Sequence, residues 1–196
     1  MDLILASTSP RRKELLQQIG VEFAQLNINI NEDVGIDEKP EDYVLRLAKE
    51  KAAAGFAQLN SLQQSKSVVL AADTTVVARG KILAKPDSLQ HSKAILTALS
   101  GKEHTVMTAI GVHSADVTKQ QVVTTQVTFR TLSDGEIDAY WATGEPQDKA
   151  GSYGIQGLAA IFVKSIHGSY SNVVGLPLCE TAELLKQFEI PLWQDK

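Results

Sequence analysis

Five successive apolar residues, Val68-Val69-Leu70-Ala71-Ala72, run without alternation into an aspartate, Asp73. A strand with no polar side chain at any second position has to be covered on both faces. That requirement points to an inner strand packed against helices, and so to an α/β fold. The flanking chain supplies such helices. Glu41 to Ala54 places Val44, Leu47, Ala48 and Ala52 on one helical face, and Ser88 to Leu99 reads as a second helix closed by Gly101. Ser9-Pro10 opens a helix ended by Gly20, with Ser9 at the N-cap, and Ser133-Asp134-Gly135-Glu136 is a capping box. Leu178 to Phe188 is the last helix.

Further strands are expected at Leu3 to Ala6, Phe23 to Ile30, Thr105 to His113, Val122 to Leu132 and Ala160 to Ile166. A hairpin is expected around Arg79-Gly80, and polar loops at Asn60 to Ser67 and Glu145 to Gly157. The interleaving predicts a mixed sheet flanked by helices, in one domain over residues 1–196 or two tightly joined lobes of it.

Composition bounds the function. The 196 residues are 43% hydrophobic and 21% charged, with a net charge of −4, which suits a globular chain with a real core. No long basic run exists, so a nucleic-acid partner is not expected. Cys179 is the only cysteine, which excludes an intrachain disulfide and a Cys-based zinc site, and the four histidines show no metal-ligand spacing. No apolar stretch approaches the ~20 residues of a membrane helix and no leader is apparent, so the cytoplasm is the expected compartment. Cys179 reads as a buried small hydrophobe, and Tyr140, Trp141 and Trp193 as core residues, with an interface as the alternative use.

Four segments carry chemistry. Ser7-Thr8-Ser9-Pro10-Arg11-Arg12 joins the first strand to the first helix; a helix start with free N–H groups, hydroxyls and two guanidinium forks suits phosphate oxygens. The two cations oppose the helix dipole, so local stability does not account for them. No Walker A pattern is present. Lys51 follows Leu47 by four residues on the apolar face, where an ammonium either reaches solvent at the edge of the stripe or points into an anion-holding cleft. Asp73, at the expected end of the buried strand, reads as a metal ligand or general base, or as a simple turn cap. Glu32-Asp33 and Lys85-Pro86 supply further charges. Asp148 to Gly157, with glycines at 151, 154 and 157, is a loop in which Gln156 offers both donors and an acceptor.

Taken in order, Leu5-Ala-Ser-Thr-Ser-Pro-Arg-Arg12, Arg46-Leu-Ala-Lys-Glu-Lys-Ala52, Ala72-Asp-Thr74, Lys85-Pro86, Leu99-Ser-Gly-Lys-Glu-His-Thr-Val106, Asp148-Lys-Ala-Gly-Ser-Tyr-Gly-Ile-Gln-Gly157, Gly168-Ser-Tyr170 and Val174-Gly-Leu-Pro-Leu178 resemble the Maf family from end to end. The form of the Asp148–Gly157 segment is similar to the branch acting on dTTP and UTP. The resemblance implies a Maf/ITPase-like α/β fold of two lobes with a deep cleft, a divalent cation (Mg²⁺ or Mn²⁺), and a homodimer.

It also implies roles for residues. Ser7, Ser9, Arg11, Arg12 and Lys149 fall to substrate binding, with Thr74, Gln156 and Arg12 tied to base choice. Glu32 and Asp73 fall to the metal, and Asp73, Lys51 and Lys85 to catalysis. The implied reaction is hydrolysis of a pyrimidine nucleoside triphosphate to monophosphate and pyrophosphate, for house-cleaning or pool control. A purine-directed pyrophosphatase and a nucleotide-binding regulator of cell division without turnover are the alternatives. Asn31, where an acidic residue often precedes Glu32, and Ala84, where Gly is frequent before Lys85, depart from the family's pattern.

Overall fold

The computed structural model describes residues 1–194. Its elements are β1 (Asp2–Ala6), α1 (Pro10–Gln18), β2 (Ala24–Leu26), α2 (Pro40–Ala57), α3 (Ser61–Gln64), β3 (Ser67–Ala78), β4 (Lys81–Leu83), α4 (Leu89–Leu99), β5 (Glu103–His113), β6 (Thr118–Phe129), α5 (Asp134–Ala142), β7 (Val163–His167), α6 (Tyr170–Val174) and α7 (Leu178–Lys186). The strands hydrogen-bond in the order β2-β1-β3-β5-β6-β7, with β4 on β3. β1 is parallel to β2 and β3, whereas β4 and β7 run antiparallel to β3 and β6. The expected mixed sheet is therefore present.

Two compact units divide the chain. The first holds Met1–Asp73, Thr108–Val123 and the described residues from Gly175 on; the second holds Thr74–Met107 and Thr124–Val174.

In the first unit, Val68 to Ala72 are all fully buried, as their unbroken apolar run requires. The expected stripe of α2 is buried too: Val44, Leu47, Ala48 and Ala52 face inward. Ile4, Ala6, Ala52, Val69 and Ala71 form one core cluster. Its small side chains let α2 settle low over β1 and β3. Gly111 on β5 completes this close approach, because a Cβ there would lie 3.0 Å from the carbonyl oxygen of Ala48. The height of α2 over the sheet fixes where Lys51, next to Ala52, can reach.

The second unit is built around aromatic rings packed edge to face. Phe129 lies 4.7 Å from Tyr153 and 4.8 Å from His104 between ring centroids, and Tyr140 lies 5.1 Å from Phe162. Such pairs add about 0.5–1.5 kcal/mol each beyond the area they bury. The caps read from the sequence are in place: Ser88 accepts the His91 N–H, and Ser133 and Glu136 form their reciprocal box.

Several elements depart from the sequence reading. The second strand stops at Leu26 instead of Ile30, because its partner β1 ends at Ala6 and later residues find no ladder. Asp73 does not end its strand: β3 continues to Ala78. The strand expected at Ala160 to Ile166 begins only at Val163, because Leu158–Phe162 form a 3₁₀ turn with Ala159 and Phe162, three apart, buried. The loop at 60–67 contains α3, nucleated by a capping box between Asn60 and Gln63. Cys179 is exposed, since α7 buries the stripe Thr181, Leu184 and Leu185 and residue 179 lies off it. Tyr140 is a core residue, but Trp193 is 77% exposed.

Candidate active site

The turn from β1 into α1 is tied down by its own polar groups. Ser7, itself buried, accepts the Ser9 N–H at 3.2 Å and an Arg12 Nη1–H at 3.3 Å on its hydroxyl oxygen. Its carbonyl accepts from Gln25 Nε2 at 2.7 Å. Arg12 donates Nε–H to the Gly175 carbonyl at 2.9 Å. Ser9 stands at the N-cap position of α1, but its side chain makes no capping bond, and no acidic residue offsets the arginines in the first turn. Arg11 forms no ion pair with a described carboxylate.

Lys51 decides the character of the site. Its Nζ lies 2.6 Å from Asp73 Oδ1 and 2.5 Å from Glu32 Oε1, with only 12% of its side chain exposed. Of the two readings open to this lysine, solvent at the edge of the stripe or a cleft that holds anions, the structure removes the first: the ammonium is mostly buried and paired with two carboxylates. Asp73 lies three residues past Leu70, the last β3 residue in register with β1. Because the neighbouring strand has ended, a carboxylate in mid-strand can be approached.

Burial pushes the Asp73 carboxyl above its ordinary range; Lys51 and then Arg12 pull it down without cancelling that effect, and Glu32 adds to the rise. Burial also lowers the Arg12 guanidinium, against the pull of Asp73. A buried anion held by two cations and poised toward protonation is the electrostatic pattern of a functional site. The first unit thus brings together Ser7, Arg12, Glu32, Lys51 and Asp73.

The remaining sequence-derived candidates lie in the second unit. Thr74 is half-buried on β3, and Lys85 is exposed in the loop after β4. Lys149 is engaged locally, donating to the Glu145 carbonyl at 2.8 Å and to Asp148 Oδ1 at 2.7 Å. Gln156 is exposed within a turn closed by the Gly157 N–H on the Gly154 carbonyl at 3.1 Å. Glu145 organises this loop, accepting from Tyr140 OH and from the N–H groups of Leu158 and Ala159. Ala84, one departure from the family's pattern, uses its carbonyl to accept the Gly151 N–H, a contact indifferent to its side chain.

The Maf-like protein family model matches residues 2–188. This chain belongs to the Maf family. Its relatives include a dTTP/UTP pyrophosphatase of Colwellia psychrerythraea, 56% identical over 183 residues, covering 93% of this chain and 86% of that protein. One from Hahella chejuensis is 51% identical over 193 residues, covering 98% and 95% respectively. One from Vibrio parahaemolyticus is 53% identical over 188 residues, covering 96% and 97%.

In this Maf chain the sequence reading missed four residues. Gln25 and Gly175 hold the Ser7–Arg12 turn, as described. Tyr43 donates its OH to the Glu32 carbonyl at 2.9 Å, and its phenol is pushed up to about 12 by burial, then by the charges of Asp73 and Glu32. Arg46 pairs with Glu38 and donates to the Asp33 carbonyl. Tyr43 could have been found from the helical spacing 43, 47, 51, which puts it on the Lys51 ridge. Asn31 accepts the Asp33 N–H at 2.9 Å, a local turn that aspartate makes equally well.

The donor set fits a divalent cation of the magnesium type. Among the described residues no group of three or more His, Cys, Asp and Glu side chains gathers to hold a metal. Glu32 and Asp73, however, share one cationic partner and so face a common point. One or two carboxylates completed by phosphate oxygens is the usual composition of such a site.

Among the described residues no helix is long and apolar enough to cross a membrane.

Proposed function

We propose that this Maf protein hydrolyses dTTP and UTP to the nucleoside monophosphate and pyrophosphate. The observation that carries the reading is Lys51 joined to both Glu32 and Asp73, with Arg12 set against Asp73. The names borne by relatives at 51–56% identity over nearly the whole chain supply the substrate.

A bound Mg²⁺ or Mn²⁺, held by Asp73 and Glu32, would supply Lewis-acid neutralisation of phosphate charge. Asp73 takes the proton of the attacking water, a task that its raised carboxyl pKa favours. The water oxygen bonds to the α-phosphorus as the bond from that phosphorus to the bridging oxygen breaks, and pyrophosphate leaves. Arg12, Arg11 and Lys51 stabilise the charge that develops on the phosphates. Ser7 and Ser9, at the start of α1, orient the polyphosphate. Lys85 keeps the catalytic role, and Thr74, Lys149 and Gln156 the substrate-binding roles, expected of them from the sequence. The proposed compartment is the cytoplasm, and the family resemblance supports a homodimer.

A panel of purine and pyrimidine triphosphates, assayed for pyrophosphate release with Mg²⁺ and with Mn²⁺, tests the proposal. Preference for dTTP and UTP is expected. Preference for inosine or methylated guanine nucleotides overturns the substrate, and tight nucleotide binding without turnover overturns the enzyme.

A further inference from the structure

Glu32 sits on a segment with no helix or strand of its own, between β2 and α2. A carboxylate that must hold one position on such a segment needs external fixing. The side of α2 that bears Tyr43, Arg46 and Glu50 provides it. Arg46 donates Nε–H to Glu38 Oε1 at 2.6 Å and Nη2–H to Glu38 Oε2 at 2.8 Å, a two-point pairing. The same Nη2 donates to the Asp33 carbonyl at 3.0 Å, and Nη1 pairs with Glu50 at 3.3 Å.

Glu38 in turn accepts the Gly35 N–H at 2.8 Å, closing the turn whose Glu38 N–H bonds the Gly35 carbonyl at 3.2 Å. The guanidinium also lies 5.6 Å over the Tyr43 ring, whose OH holds the Glu32 carbonyl. Residues 32 to 38 are therefore fastened to α2 at Glu32, Asp33 and Glu38. The Glu32 side chain meets Lys51 at 2.5 Å.

We infer that Arg46 is a positioning residue for the reaction, latching the 33–38 segment through Glu38 and Asp33 so that Glu32 is presented to Lys51 and Asp73. Arg46 touches neither of those two side chains in any described contact, and acts through Glu32. The inference rests on the proposed triphosphate chemistry of the same site. Lysine is not an equivalent, because it lacks the planar fork that spans both Glu38 oxygens and the Asp33 carbonyl.

The test is a double-mutant cycle of Arg46→Met and Glu32→Gln, with Glu38→Gln breaking the latch from its other side. kcat and KM for dTTP are measured together with hydrogen exchange of the backbone amides. Arg46→Met and Glu38→Gln are each expected to lower kcat roughly tenfold or more, with KM changed less than about twofold, since a displaced catalytic group costs rate. In the Glu32→Gln background, Arg46→Met should cost less than about a further twofold. Amides of residues 33–38 should exchange faster in both latch variants, with the buried run Val68 to Ala72 unchanged.

The inference is overturned by losses from Arg46→Met and Glu32→Gln that multiply independently, or by unchanged exchange at 33–38 in Arg46→Met. A wild-type protein inert toward dTTP and UTP sinks the substrate reading instead. An active wild type whose Arg46→Met variant turns over equally fast sinks the latch alone.

Discussion

Lys51 Nζ and Asp73 Oδ1, 22 residues apart in sequence, meet at 2.6 Å in surroundings that leave their side chains only 12% and 10% exposed. A helix and a strand each place one charge where neither could stand alone. Burying an unpaired carboxylate or ammonium costs several kcal/mol. Burial still raises the Asp73 carboxyl despite the pair, so stability alone does not account for the charge.

Asp73→Asn follows from this. The folded carboxyl lies above its unfolded value, so its contribution to stability is fully present below the unfolded pKa and lost as pH rises through the folded one. Above its folded pKa the ionised group is thus a burden on the fold. The variant should melt at or above the wild-type temperature, while Lys51 keeps Glu32 as its partner. Turnover of dTTP should fall by roughly a hundredfold or more, the scale for removing one such group. Near wild-type turnover would take Asp73 out of the mechanism; a collapse in melting temperature would make it a structural ion.

His104 supplies a pH dependence in the second unit. It is buried against Phe129, contacts Tyr153 OH through Nε2 at 2.9 Å, and burial lowers its pKa from 6.5 to about 4. A neutral imidazole is therefore favoured in the fold. Its contribution to stability is present above pH 6.5 and is lost as pH falls toward 4. By pH 5 the loss amounts to about 2 kcal/mol. Urea midpoints measured from pH 8 to 5 should drop for the wild type and drop less for His104→Gln. Parallel pH profiles would show that this imidazole is not responsible.

Gly151 tests the packing beneath the loop that carries Gln156. It adopts φ +69°, and a Cβ there would sit 2.7 Å from Val76 Cγ2. Gly151→Ala should cost about 2–3 kcal/mol, combining left-handed backbone strain with overpacking. Adding Val76→Ala removes both γ-carbons but keeps the Cβ 2.8 Å away, so the double variant should recover only part of the loss. Chemical denaturation of the two single variants and the double reads this directly. Full recovery in the double would mean that the backbone carries no strain.

The sequence alone made much of the scaffold legible. Val68 to Ala72 could only be an inner strand, because no polar side chain offers a solvent face. The stripe of Val44, Leu47, Ala48 and Ala52 fixed which side of α2 turns inward. Ser88 and Ser133 marked two helix starts through local hydrogen bonds. These are short-range matters, settled by periodicity and capping within a few residues. The ordered motifs of the Maf family, read from the same string, named the charged residues worth watching.

What those charges do to one another was decided only by the fold. Lys51 read equally as a solvated edge residue until the height of α2, set by Ala48, Ala52 and Gly111, put its ammonium between Glu32 and Asp73. Asp73 looked like a strand end, yet it lies mid-strand and is reachable because β1 has stopped beside it. Arg46 finds its partner Glu38 only because the preceding loop brings that carboxylate to it. Side-chain partners that are distant in sequence leave no periodic trace, since the free energy of a charge depends on what surrounds it in space.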